Sequence, residues 1–272
     1  YKRLKKIYWY DKILERKVER NLRKMKNVDE LFEKTLALVK ECGEILKTAV
    51  KEEKDSKIKE DGSIVTKYDL MIDNKLSQEL KELANCSVLS EEHKEDIGNT
   101  YFVIDPIDGT HNFDMKWDFF GIMVSYVLEK ETVFSIIHLP MLNIVCTAMK
   151  GKGAYLNGKR VYTKKMTDRL VGGCPVTKNN LESITKILNS NENVELRSLF
   201  CMAAEQTYVT SGIFDFAYSV NTGSIWDFVA TELMIKEAGG IMKLKKLENG
   251  KYNAIYGSKE AVEKIENINN IL

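Results

Sequence analysis

Six consecutive residues, Asp105-Pro106-Ile107-Asp108-Gly109-Thr110, carry the most chemically suggestive spacing in this chain. Pro106 fixes its own φ at about −65° and biases Asp105 toward an extended backbone, while Gly109 permits angles closed to other residues. The spacing predicts a rigid turn at a strand end that can aim two carboxylates and the Ile107 carbonyl into one small volume. Hard oxygen ligands of that kind suit Mg²⁺, which keeps waters and phosphate oxygens in its remaining positions. Asp and Gly are also ordinary turn formers, so DxxDG by itself is compatible with a plain loop.

Two more acidic sites come from the elements around it. Ser87-Val88-Leu89 and Tyr101-Phe102-Val103-Ile104 are short runs of strand formers, the first followed by Glu91-Glu92 and the second by Asp105. A helix opens at Trp226-Asp227 and stops at Gly239-Gly240. Three acidic termini that converge would repel one another without a cation. The amides after Gly109, and the dipole of any helix beyond them, would favour a phosphate beside that cation. The aspartyl-phosphate pattern DxDx[TV], the nucleotide loop GxxxxGK[ST] and the Cys-x5-Arg signature are all absent. Water attacking phosphorus under metal activation is what remains of the phosphatase designs.

The rest of the chain must position these groups. Apolar residues at helical spacing predict helices over 29–53 and over Tyr68 to Leu83, so Asp69 sits near a helix start. The charged stretch Lys51 to Gly62 between them reads as a mobile loop, from which Lys57 or Lys59 could approach a phosphate. Phe119 to Ala148 holds two or three β segments, and Asn157-Gly158 ends a strand in a hairpin turn. Helices are expected over Leu181 to Leu188, Ala203 to Ser211 and Trp226 to Ala238, and a strand over Phe214 to Val220. His93, His111 and His138 have no nucleophile at a suggestive spacing and read as structural or surface residues. Trp226 reads as a core anchor at its helix start.

Composition bounds the class. A chain of 272 residues, 44% hydrophobic, can bury a substantial core, which excludes disorder as a whole. The five cysteines are scattered singly, which argues against a disulfide framework or a zinc site and for a reducing cytoplasm. No run approaches the roughly 18 apolar residues that span a bilayer. Residues 1–26 hold eleven Lys/Arg against three Asp/Glu, whereas the body is acidic. This front segment, delimited as an arm over 1–27, has Ile7, Leu14, Val18, Leu22 and Met25 on one narrow helix face. It is expected to pack on the body or a second subunit, with nucleic acid or membrane contact as the alternatives. Residues 28–272 are expected to form a single domain of two packed lobes.

Taken in order, Ser90-Glu91-Glu92, Asp105-Pro-Ile-Asp-Gly-Thr-His-Asn-Phe113, Gly-x-Gly-Ala-x-x-Asn-Gly at 151–158, and Trp226-Asp227 followed by Glu237-Ala-Gly-Gly240 resemble the motifs of the inositol monophosphatase superfamily, from about residue 28 to 258. The resemblance implies an α/β (α+β) fold, a layered αβαβα sandwich of the inositol monophosphatase and fructose-1,6-bisphosphatase type. It further implies a homodimer and a lithium-sensitive, Mg²⁺-dependent phosphatase acting on a small phosphorylated substrate. Carried over by position, Glu91, Asp105 and the Ile107 carbonyl would bind one Mg²⁺, and Asp105, Asp108 and Asp227 a second, with a looser third near Glu91. Asp69 and Thr110 match the pair that orients and deprotonates the attacking water. Gly109, Thr110 and Ala203 would contact the substrate. Inositol monophosphate is the expected ester, with fructose 1,6-bisphosphate, a 3′(2′),5′-bisphosphate nucleotide or histidinol phosphate as alternatives; a phosphatase-like binding protein using its basic arm is the alternative class. The chain departs from the family in having Cys201-Met202-Ala203-Ala204 where Gly-Ser/Thr-Ala-Ala is frequent. It also lacks the acid that inositol-selective members place about seven residues before the Trp-Asp aspartate.

Overall fold

The computed structural model describes residues 27–59, 62–93, 95–165, 167–190 and 192–269. Residues 1–26 of the basic arm expected over 1–27 lie outside them. The chain divides into two units, Tyr1–Leu38 and Val39–Leu272. In the first, every described residue is helical, part of helix α1 (residues 27–49). Every described strand belongs to the second.

The polar entrance to this second unit differs from the expected loop. Residues 57–58 and 64–65 form a small antiparallel hairpin, β1 (Lys57–Ile58) and β2 (Ile64–Val65). The charge-rich composition hid it because only four residues pair. Lys54 just ahead is buried, with its ammonium donating to the carbonyls of Val50 and Glu52 at 2.9 and 3.1 Å and lying 5.0 Å from the Phe113 ring centre.

Helix α2 (Lys67–Ala84) starts at Thr66, whose hydroxyl accepts from the Tyr68 and Asp69 amides, and ends at Asn85 in the left-handed region. It leads into β3 (Ser87–Ser90), which pairs in parallel with β4 (Tyr101–Asp108). The register sets Ser90 against Ile104, so the next residues, Glu91 and Asp105, emerge from the same edge of the sheet. From there the sheet is an antiparallel meander of β5 (Gly121–Leu128), β6 (Glu131–Leu139), β7 (Ile144–Met149), β8 (Gly153–Leu156) and β9 (Lys159–Val161). Asn157 and Gly158, both at positive φ, make the predicted tight turn.

A second, mixed sheet of five strands runs in the order β11 (Val194–Arg197), β10 (Leu170–Gly173), β12 (Phe216–Thr222), β14 (Tyr252–Gly257), β13 (Ile241–Lys246). Helices α5 (Met202–Thr210) and α6 (Ile225–Glu237) touch both sheets, α2 covers the far side of the seven-stranded sheet, and α4 (Leu181–Leu188) and α7 (Lys259–Asn269) pack beside the five-stranded one. The expected αβαβα layering is therefore present. Its middle layer must be apolar all round, and α6 accordingly buries Phe228, Ala230, Leu233, Met234 and Ile235. Small residues let α5 approach the seven-stranded sheet: a side chain on Gly121 would sit 3.1 Å from the Ala203 methyl and 3.0 Å from the His138 carbonyl. None of the described helices is long and apolar enough to cross a membrane.

Candidate active site

The acidic motif is a strand before it is a turn. β4 continues through Pro106 to Asp108, and between Asp105 and Asp108 it advances three residues while its partner goes from Met123 to Gly121. The extra residue makes a bulge, which accommodates a proline that has no ladder hydrogen to give. The expected turn is thus displaced to Gly109, at φ +80°, where a side chain would meet the Phe119 carbonyl at 2.9 Å and Cys201 Cβ at 3.2 Å. A one-turn helix, α3 (Thr110–Asp114), comes next.

Asp105, Asp108 and Asp227 are buried, and each offers a carboxylate oxygen within 4.8 Å of the others. At an effective dielectric constant near 20, each such pair of full charges repels by on the order of 3 kcal/mol. The titration behaviour reflects this. Asp105 is pushed well above the usual carboxylate range by burial and then by the charges of Glu91, Asp108 and Asp227. Asp227 is pushed up likewise by burial, then by Asp108 and Glu91. Asp108 rises to about 6 through burial, although the Cys201 thiol, the Ala203 amide and the Gly109 amide favour its ionised form. The charge of Lys251 favours ionised Asp227 but is outweighed by burial and by the neighbouring acids. Buried hard-oxygen donors in mutual repulsion are the donor set that a divalent cation satisfies, so these residues fit Mg²⁺.

Helix starts position two of the site's acids. Asp69 is the third residue of α2, and its Oδ2 accepts from the Thr66 amide at 2.7 Å and the Thr66 hydroxyl at 2.6 Å. Asp227 holds the same place in α6, with Oδ2 accepting from the Ser224 amide at 2.5 Å. Each carboxylate caps a helix with one oxygen and keeps the other for the site. For Asp69 that other oxygen accepts from the Thr110 hydroxyl at 3.1 Å; the same hydroxyl lies 2.8 Å from the Ile107 carbonyl. Burial pushes Asp69 up to about 6 against the Thr66 and Thr110 hydrogen bonds.

Glu91 lines the same cavity but stands apart from the trio, its Oε1 accepting from Lys59 Nζ at 2.9 Å. Lys59 also donates to Glu92 at 2.7 Å. Burial opposes the Lys59 charge, yet the Glu92 hydrogen bond and the Glu91 charge outweigh it and hold the ammonium above its ordinary range. Lys59, expected as a candidate phosphate contact, is committed to the acids instead. The cavity has a volume of about 700 Å³, and Ile107, Gly109 and Thr110 lie on its floor with the acids.

Ala203, expected to contact substrate, does not line the cavity. It sits behind Asp108, its amide donating to Asp108 Oδ2 at 2.7 Å and its methyl packed toward Gly121; its neighbour Met202 faces the cavity. His111 lines the cavity, His138 is buried near the Val39 carbonyl, and His93 pairs with Asp73 at 2.8 Å.

Three supporting residues escape a reading of the sequence. Asp73 accepts from the Ser90 hydroxyl and pairs with His93, clamping both ends of the turn that presents Glu91. Cys201 donates its thiol to Asp108 Oδ2 at 2.9 Å. Asn112, buried, donates to the carbonyls of Phe119 and Leu199 at 2.7 and 2.8 Å. Asp73 has a signal in its place one turn after Asp69 on the same helix; nothing local marks the other two.

A family model for the inositol monophosphatase family matches residues 27–266. Over 224 residues the chain is 28% identical to the 3′(2′),5′-bisphosphate nucleotidase CysQ of Aggregatibacter actinomycetemcomitans, covering 78% of this chain and 83% of that protein. Over 237 residues it is 27% identical to inositol monophosphatase 1 of Mus musculus, with the same shares. The solved structure of a Thermotoga maritima inositol monophosphatase superposes with a TM-score of 0.80 at 24% identity, over 88% of this chain and 96% of that one. The match over most of its length, on the layered fold that carries the acid cluster, places the chain in the inositol monophosphatase family of phosphatases.

Proposed function

We propose that this chain hydrolyses a small phosphate monoester with water as the nucleophile and Mg²⁺ as the cofactor. The observation that carries this reading is the trio of buried, mutually repelling carboxylates at the floor of an open cavity. Glu91, Asp105, the Ile107 carbonyl, Asp108 and Asp227 would hold the cation. A bound divalent ion of this kind lowers the pKa of its water and offsets phosphate charge.

The chain's own groups do the rest. With its hydrogen donated to Asp69, the Thr110 hydroxyl turns a lone pair toward the cavity. A water donating to that lone pair is held by one hydrogen, and Asp69, titrating near 6, can take up the proton through Thr110. The Gly109 amide is drawn toward Asp108, which leaves the Thr110 amide the stronger candidate for a phosphate oxygen. Phosphate release should require Mg²⁺, fall with Li⁺, and drop by several orders of magnitude in Asp105→Asn. Inositol 1-phosphate, fructose 1,6-bisphosphate, adenosine 3′,5′-bisphosphate and histidinol phosphate make the test panel. Metal-dependent turnover that survives Asp105→Asn would remove the proposal. A homodimer belongs to the same reading, and its mass in solution, twice 31.2 kDa, is the check.

A further inference from the structure

One acid of the trio is held by a helix to which it does not belong. Asp69 and Asp227 each sit in the helix they cap: Asp69 Oδ2 accepts from the hydroxyl of the capping Thr66, and Asp227 Oδ2 from the amide of the capping Ser224. Asp108 is instead the last residue of β4. Its Oδ2 accepts from the thiol of Cys201, the capping residue of α5, at 2.9 Å and from the Ala203 amide in the first turn of that helix at 2.7 Å. Cys201 thus does for Asp108 what Thr66 does for Asp69.

The contact is fixed from both sides. An ionised carboxylate can only accept, so the sulfur keeps its hydrogen and donates it. The same sulfur accepts from the Ala204 amide at 3.4 Å, so it cannot turn away from Asp108 without also giving up the cap of α5. Cys201 is buried, and a side chain on Gly109 would meet its Cβ at 3.2 Å and its Sγ at 3.4 Å. The backbone beside Asp108 therefore closes over the thiol. The glycine frequent at this place in the family has no such donor to offer.

A carboxylate at a strand end turns about its own bonds unless another group stops it, and two donors on one oxygen do so. Groups that orient a ligand from behind the metal govern affinity almost as strongly as the ligands. We infer, building on the phosphatase reading, that Cys201 is a positioning residue of the metal site: by holding Asp108 Oδ2 it presents Oδ1 to the cation, and it thereby sets the affinity of this chain for Mg²⁺.

The test is calorimetric titration of Mg²⁺ into the chelated full chain, comparing the wild type with Cys201→Ala and Cys201→Ser. These two variants differ from each other by one hydroxyl, so lost volume affects both and a lost donor only the first. Cys201→Ala should bind Mg²⁺ about tenfold more weakly, the lower end of the usual range because the Ala203 amide remains, and Cys201→Ser should recover most of that loss. The Mg²⁺ concentration for half-maximal rate should rise in step in Cys201→Ala. If Cys201→Ala does not fold, Cys201→Gly gives the same comparison. Wild-type affinity in the variant without a donor, or an equal loss in Cys201→Ser, would overturn the inference. Ester hydrolysis with equal Mg²⁺ affinities in all three proteins would overturn it while the phosphatase reading stands. The expected affinities without hydrolysis of any ester would remove the phosphatase reading and leave the role of Cys201 in place.

Discussion

Asp215 and the trio of Asp105, Asp108 and Asp227 are all carboxylates removed from water, and the chain treats them in opposite ways. Asp215, with no side-chain exposure, accepts from Lys164 Nζ and from the Val171 amide, each at 2.8 Å. Its charge is answered from within. The trio gathers three acids in one place with amides and a thiol around them, and the charge of Lys251, which favours ionised Asp227, is outweighed by burial and by the charges of Asp108 and Glu91. A buried charge matched by an internal partner serves the fold; buried charges left in net repulsion leave room for a partner from outside.

The contrast can be broken from either side. The largest effect is expected from Asp105→Asn, which should cut phosphate release by several orders of magnitude and, after chelation of metal, raise the melting temperature, because one of the repelling charges is gone. Asp215→Asn should do the reverse. It should cost about 2–3 kcal/mol in chemical denaturation, somewhat less than a fully buried pair because Lys164 retains access to solvent, and it should leave the stabilisation by Mg²⁺ intact.

The pH dependence sharpens the same comparison. Asp69 and Asp108 titrate near 6 in the fold, and Glu205, fully buried in α5, is pushed to about 8 by burial against the Leu199 amide. A carboxyl whose folded pKa is raised contributes stability below its unfolded value, near 4, and loses it as pH rises through the folded value. Metal-free protein should therefore lose stability steadily as pH rises above about 4, through the Asp69 and Asp108 range near 6 and on through the higher range of Asp105, Asp227 and Glu205. Thermal melts from pH 4 to 9 should show Mg²⁺ flattening the part of this decline that comes from the metal-site acids, and Glu205→Gln removing only the part near pH 8. The smallest effect is expected at the supporting clamp: Asp73→Asn should raise the Mg²⁺ concentration needed for half-maximal rate a few fold, with little change in the maximal rate.

How much of the molecule is legible in its sequence depends on how local each signal is. The spacing places helix α4 at its observed bounds, Leu181–Leu188, because a helix is written in neighbouring residues. The acids Asp105, Asp108, Glu91 and Asp227 are legible because each ends or begins an element, and the parallel register of Ser90 with Ile104 turns that into proximity. The strand through Pro106 reads wrongly as a turn, since the bulge that admits proline depends on Gly121 across the ladder. Ala203 is misassigned for a similar reason: its position behind Asp108 comes from packing against Gly121, more than eighty residues away. Asn112 and Cys201 act across long sequence separations on carbonyls and a carboxylate, and no spacing announces such contacts.

The task proposed for the trio is to hold a divalent cation. Calorimetric titration of Mg²⁺ into the chelated full chain tests it most directly, with Asp105→Asn and Asp215→Asn measured alongside. The wild type and Asp215→Asn should bind Mg²⁺, and Asp105→Asn should lose that binding. Equal binding by Asp105→Asn and the wild type would contradict it.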